Sequence, residues 1–271
     1  MKQKSLRDMN LLDRFLFAEL AEDNEAVETI LRIIIGDEIN IREKTAAEKE
    51  KRSLPWNKQV RLDVWAVDDE GNVYDTEVQK QRKDDLRKRT RFYSCLLDFQ
   101  LLKSGDLSYN NLKDAYVIMI TPFDLFGEGK YKYVFEMTNE TNPELKLNDG
   151  TKRIFLNTQG TNSEGASQEL IDMLHYFEKT QKETIKGTKS DKLKFLQNKV
   201  EDIRSNEEIG VKAMNRWEER IEDREEGRTE GRKEGREERN FEIARKLKEM
   251  EMSVSDIVKA TSLTEKEIKG L

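Results

Sequence analysis

Two runs rich in β-branched and aromatic residues, VRLDVWAVD at 60–68 and VYDTEVQ at 73–79, stand on either side of Asp69, Glu70 and Gly71. Such runs read as strands, and a three-residue connection ending in a glycine that can take positive φ reads as a hairpin loop. The consequence is a register. If Asp68 pairs with Asn72, then Asp63 faces Glu77, and Gln79 lies on the same side of the ribbon, because side chains alternate with period two. Two carboxylates directly opposite have Cβ atoms about 4.5–5.5 Å apart and repel, so the pair destabilises the strands unless a cation neutralises it. Oxygen ligands suit Mg2+, with Mn2+ as the alternative, better than zinc, and such an ion polarises a phosphoryl oxygen and helps to generate hydroxide. From the hairpin alone two readings stay open: a metal site, or a pair of solvated acids on an exposed sheet face.

The rest of the chain places this hairpin in a larger pattern. Leu12, Phe15, Leu16 and Leu20 recur at helical spacing, and Ala26, Val27, Ile30, Leu31 and Ile34 do so again, with Asn24 as the N-cap and Gly36 as the stop. Ile39 and Ile41 predict a short strand and 43–53 a polar loop. A basic amphipathic helix follows over 85–103, burying Leu86, Tyr93, Leu96, Leu97 and Leu101 and ending at Gly105. The apolar run AYVIMIT at 115–121, closed by Pro122, has the composition of a central strand covered on both faces. Strands at 131–135 and 154–157 and a helix over 168–182 complete the order α-α-β-β-β-α-β-β-β-α, a mixed α/β domain. Over 191–239 apolar residues are sparse, and Glu-Gly-Arg units recur around Gly227, Gly231 and Gly235. Opposite charges one turn apart support a long solvated helix there, although each glycine costs about 1 kcal/mol against alanine. Helical patterning returns at 241–250, 255–261 and 264–271 in a helix-turn-helix-like order, with Thr264 and Glu267 spaced as a capping box. The expected division is a core at 1–185, a charged helical linker at 186–239 and a small helical module at 240–271.

Composition narrows the chemistry. The net charge of the 271 residues is −6, but phosphate binding depends on local clusters of Lys and Arg. Lys80, Arg82, Lys83, Arg87, Lys88, Arg89 and Arg91 form one, broken only by Asp84 and Asp85, a patch of the kind that binds phosphate. Cys95 is the lone cysteine, expected with Phe92 to pack, and fits a reducing cytoplasm. The lone histidine, His175, sits among Leu174, Tyr176 and Phe177 and reads as structural, leaving a Ser-His-Asp triad nothing to build on. No phosphate-cradling glycine loop of either common type occurs, so no nucleotide cofactor is expected. The N-terminus has Lys2, Lys4, Arg7 and Asp8 and no apolar run of the length of a signal peptide or a membrane span, so the expectation is a cytoplasmic protein with no membrane partner.

Four separated segments, RLDVWAVDDEGNVYDTEVQ from Arg61, KRTRFYSCLLDFQLLKSGDLSYNNL from Lys88, YVIMITPFDLFGEGKYKYVFEM from Tyr116 and DGTKRIFLNTQG from Asp149, together resemble the Rpn family of recombination-promoting nucleases, a transposase-type family. The resemblance spans roughly 8–180. It implies the PD-(D/E)XK superfamily, a restriction-endonuclease-like fold with an α-β-β-β-α-β core and a mixed sheet. It further implies Asp63 as the motif's Asp, Glu77 as its (D/E) and Gln79 where lysine usually stands. Asp63, Glu77 and Gln79 are then the catalytic residues. Asp63 and Glu77 hold Mg2+, and Asp13 in the opening helix either completes the metal shell or is a surface acid. Arg89, Arg91 and Tyr93, with Arg82 and Lys80, either contact DNA phosphate or are plain solvated charge. The departure is Gln79: lysine there orients the attacking water and offsets charge in the transition state, so restoring it should leave activity unchanged or raise it.

The implied activity is a metal-dependent DNA endonuclease of low sequence specificity, linked to recombination, mobile elements or defence. The alternative is a weak or inactive module that uses the same fold to bind DNA or protein. The candidate third helix of the terminal module is short and has Glu265 and Glu267 at its start, where a reading helix would meet base edges. Self-association through the C-terminal helices, giving a homo-oligomer, is therefore expected over DNA reading.

Overall fold

The structure, a computed structural model, describes residues 5–36, 39–51, 60–101 and 108–271. The chain divides into two compact units, the first ending at Gly210 and the second spanning Val211–Leu271.

The first unit opens with α1 (Arg14–Leu20) and α2 (Asn24–Ile35). The start of α2 lies one residue earlier than the sequence predicts: the N-cap is Asp23, whose Oδ1 accepts from Ala26 N at 3.1 Å, and Asn24 is already helical. Gly36 ends the helix at φ +93°, the left-handed conformation that glycine adopts without steric cost. Strand β1 (Ile41–Lys51) then runs antiparallel to β2 (Val60–Asp68), with register shifts at Ile41/Glu43 and Ala46/Lys49. The loop predicted from residue 43 is thus a strand as far as Lys51, and its last two residues, 52 and 53, lie outside the described residues. β1 is an edge strand, where an interrupted, charged sequence is tolerated because, among the described residues, one side of the ladder faces no partner strand.

The hairpin of β2 and β3 (Val73–Val78) has the predicted register. Val64 pairs with Thr76, Trp65 with Asp75, Ala66 with Tyr74 and Val67 with Val73. Asp68 N donates to Asn72 O at 3.1 Å, and Gly71 turns at φ +90°. Asp68 also closes the loop with its side chain, accepting from Asn72 N (2.8 Å), Asn72 Nδ2 (3.0 Å) and the Tyr74 hydroxyl (2.7 Å).

A crossover through α3 (Leu86–Leu101) brings β4 (Ala115–Thr121) parallel to β3. The helix end expected at Gly105 lies outside the described residues. β4 is buried at every position and sits inside the six-stranded sheet, whose order is β1-β2-β3-β4-β6-β5. β6 (Thr151–Asn157) runs parallel to β4, and β5 (Lys132–Phe135) pairs antiparallel at the far edge. α2, the three strands of the β1–β3 meander, α3 and β4 follow one another in the α-β-β-β-α-β order that the resemblance implies.

α3 covers the side of the hairpin that presents Trp65, Val67 and Val73, packing Tyr93, Leu96 and Leu97 against them with Leu62, Ala115 and Val117. α1 and α2 pack with β1 and with α4 (Gln168–Glu178), where Phe17 meets Phe177 at 5.9 Å between ring centroids. The charged segment at 191–239 is not one helix. α5 (Asp191–Ser205) buries Leu193, Leu196 and Val200 and packs on α1 and α2, whereas α6 (Glu207–Glu249) is almost wholly exposed. Three apolar residues at i, i+3 and i+7 suffice for one buried stripe, and the surrounding charges hide it in the composition.

In the second unit, α7 (Val254–Thr261) and α8 (Glu265–Lys269) join the end of α6 in a core of Ala244, Ile257, Leu263 and Ile268. The capping box forms: Glu267 N donates to Thr264 Oγ1 at 3.3 Å and Thr264 N to Glu267 Oε2 at 2.7 Å. Among the described residues no helix is long and apolar enough to cross a membrane.

Candidate metal and phosphate site

Continued past Val64 and Thr76, the hairpin register sets Asp63 opposite Glu77, and there the side chains replace the ladder. Asp63 N donates to Glu77 Oε1 at 2.9 Å, and Val78 N donates to Asp63 Oδ2 at 3.2 Å. The acids are not on a solvated face, as one reading of the hairpin had it. Asp63 is 4% exposed and Glu77 fully buried, because α3 covers this side of the sheet.

A third acid lies with them. Asp75 is two residues before Glu77 and shares its face, is fully buried, and neither of its carboxylate oxygens has a hydrogen-bond partner. Burial pushes the Glu77 carboxyl up to about 7, with the Asp63 charge adding to the effect and Arg89 opposing it. Burial also raises Asp63 against the pull of Arg14, and raises Asp75 well above the ordinary carboxylate range with help from Glu77 and Asp63. Sequence reasoning passed over Asp75, although period two in VYDTEV was the available signal.

Two arginines offset this charge. Arg89 comes from α3 one turn before Tyr93, on the helix face that packs on the hairpin. Its Nη2 donates to Glu77 Oε2 at 2.5 Å, Nη1 to Gln79 Oε1 at 3.0 Å and Nε to the Tyr93 hydroxyl at 2.7 Å, and its guanidinium lies 5.2 Å from the Tyr93 ring centroid. Arg14, the first residue of α1, donates to Asp63 Oδ1 through Nε at 2.8 Å and also through Nη2. Nothing in the sequence signalled Arg14, since its partner is 49 positions away.

The structure therefore brings Asp63, Glu77, Gln79, Arg89 and Tyr93 into one network. Asp13 and Lys80 form a separate pair, Lys80 Nζ donating to Asp13 Oδ2 at 2.6 Å. Arg82 turns to the loop after β4, donating to Asp124 O at 3.2 Å, and Arg91 is exposed on α3. Phe92 and Cys95, expected to pack, are exposed beside it, since they fall on the helix face opposite Tyr93 and Leu97. His175, read as structural, is exposed, with its Nε2 3.0 Å from the Tyr131 hydroxyl.

Among the described residues no group of three or more His, Cys, Asp or Glu is arranged to hold a metal ion. The donor chemistry of the facing pair nevertheless fits a hard divalent cation: two opposed carboxylates, all-oxygen, with the further carboxyl oxygens of Asp75 alongside. A family model described as PD-(D/E)XK nuclease family transposase matches residues 13–239. No curated protein and no solved structure matches the chain.

Proposed function

The chain belongs to the PD-(D/E)XK nuclease family transposases, and from that premise we propose that it is a metal-dependent DNA endonuclease with Asp63 and Glu77 as its metal-binding carboxylates. The observation that supports this most is the buried, facing pair itself, held in a register that places like charges together where a fold built for stability alone would place apolar residues. Mg2+ is the proposed ion, with Mn2+ as a substitute. When bound, it supplies Lewis acidity toward a phosphoryl oxygen and lowers the pKa of water. Arg89, steadied by Tyr93 and Gln79, supplies the positive charge beside the pair that lysine supplies elsewhere in the superfamily. Asp13 takes part once Lys80 turns to DNA phosphate, and Arg91, exposed on α3, and Arg82, ahead of that helix, extend the phosphate-binding surface. Phosphate contacts position DNA without reading its sequence, so cleavage sites on random DNA should scatter. The proposed setting is the cytoplasm, in recombination, element mobility or defence.

Nicking of supercoiled plasmid with Mg2+ and with EDTA tests the proposal. Metal-dependent nicking is expected. Plasmid binding with no nicking in either condition would favour the second reading, a non-cutting module, for which the specific observation is that arginines already neutralise both carboxylates.

Arg89 reverses the expectation for position 79. A lysine there would set its ammonium against the Arg89 guanidinium, which now donates to Gln79. Gln79→Lys is therefore expected to slow nicking about tenfold and to lower the melting temperature, since like charges in a half-buried site repel. Faster nicking would show that charge at 79 is what the site lacks.

We also propose that the core, the charged helix and the terminal module act as separate parts, with self-association assigned to the last. Removing 240–271 should reduce oligomeric mass in light scattering with little change in DNA affinity. The opposite pattern would assign the module to DNA.

A further inference from the structure

We infer that Arg14 is a substrate-released guard of the metal site: in the free chain it occupies Asp63, and DNA phosphate draws it away so that metal and DNA bind cooperatively. The inference rests on the proposed role of the Asp63–Glu77 pair. It follows from a difference in exposure between the two arginines. Arg89 is 21% exposed and is held by three different partners, Glu77, Gln79 and Tyr93, with its plane over the Tyr93 ring. It is a fixed part of the site. Arg14 is 52% exposed, sits at the first position of α1, and directs both Nε and Nη2 at the single oxygen Oδ1 of Asp63.

Arg14 thus places two donors on one ligand atom of the pair, an atom that a cation needs. The other oxygen, Oδ2, already accepts from Val78 N at 3.2 Å. A divalent ion that is to use Oδ1 displaces the guanidinium from it, and until then the positive charge of Arg14 beside Asp63 opposes the ion. A guanidinium is also a fork matched to phosphate. Its half-exposed side chain can exchange the buried carboxylate for a phosphate arriving from solvent, and Asp63 then takes the ion in its place. Charge stays balanced in both states: Arg14 on Asp63 before, and the ion on Asp63 with Arg14 on phosphate after. The neighbouring pair of Lys80 and Asp13 is built in the same way, one residue along the chain, with a one-third-exposed cation on the acid.

Two ligands that each displace or recruit the same group must show reciprocal coupling. The test is Mn2+ titration of the full chain, followed by the electron paramagnetic resonance of free Mn2+, with and without a phosphorothioate DNA duplex. The Asp63→Asn protein with the same duplex corrects for ions held by the DNA. In the parent, the duplex is expected to tighten Mn2+ binding about tenfold, and Mn2+ to tighten duplex binding by the same factor. Arg14→Met keeps the length of the side chain and removes its donors. It should bind Mn2+ about tenfold more tightly than the parent with no DNA present, and the duplex should then add little. Arg14→Lys, which holds a carboxylate as a point charge and not as a fork, should fall between the two, and it serves as the readout if Arg14→Met does not fold. A merely structural arginine would give the opposite sign, weaker metal binding on replacement. If the parent binds Mn2+ equally with and without duplex, or if neither Arg14 variant binds more tightly, the guard is overturned while the metal site stands. If no form binds Mn2+ even with duplex, both fall together.

Discussion

Asp63→Asn and Glu77→Gln are each expected to reduce Mg2+-dependent nicking by about 10²–10³-fold, the scale on which loss of a charged group at a reacting centre acts, while the protein stays folded. Each substitution preserves volume and one carbonyl-type acceptor, so the amide of residue 77 can still accept from Asp63 N and that of residue 63 from Val78 N. What disappears is one negative charge from a buried group of three acids. Repulsion between Asp63 and Glu77 falls, and the arginine left behind is in one case half-exposed and in the other still bonded to Gln79 and Tyr93. Melting temperature should therefore hold or rise as activity falls. Measured together on both variants, full nicking in a folded protein would remove the pair from the site, and collapse of both properties would make the acids structural.

The reach of sequence reasoning is visible in which residues it paired. Asp63 and Glu77 were legible because a hairpin loop of known length and a period of two determine every facing pair, and Gly71 marked the loop. Asp75 was equally legible and was missed, because an acid inside a strand of buried residues looks like half of an alternation until the covering helix is known. α3 covers both faces of that question: it buries the acids and delivers Arg89 to them. The spacing of Arg89, Tyr93 and Leu97 at successive fours already placed them on one helix face, while Phe92 and Cys95 fell on the other. Arg14, Asp13 and Lys80 were not legible as partners, since the packing of α1 near the end of β2 is a long-range outcome of the whole core that no local pattern encodes. The edge strand β1 failed for a different reason. Charged residues on an exposed edge are selected against pairing with other chains, so the sequence of such a strand resembles a loop.

Asp75→Asn should stabilise the protein at neutral pH, and by more as the pH rises. The acid is fully buried, both its oxygens lack partners, and burial together with the nearby Glu77 and Asp63 charges holds it protonated well above the ordinary carboxylate range. In the unfolded chain its pKa returns to the ordinary carboxylate range, so above that range folding takes up a proton, a cost that grows as the pH rises. Asparagine has nearly the same shape as the protonated acid and needs no proton. Its amide is as short of partners as the acid was, so the hydrogen-bonding penalty is similar in the two proteins. A rise in melting temperature of roughly a few degrees at pH 7 is the expected result. The sign of the pH dependence follows from the protons bound. Between pH 4 and 7 the native parent keeps protons on Asp75 and Glu77 that the unfolded chain has released, so its stability falls as pH rises, through the Glu77 value of about 7. Asp75→Asn removes one of these groups and should show a shallower fall, converging with the parent near pH 4, where the acid is protonated in both states. Melting curves at steps from pH 4 to 8 measure both the gain and its slope, and parallel curves for the two proteins would mean that Asp75 is ionised in the fold and has a partner there.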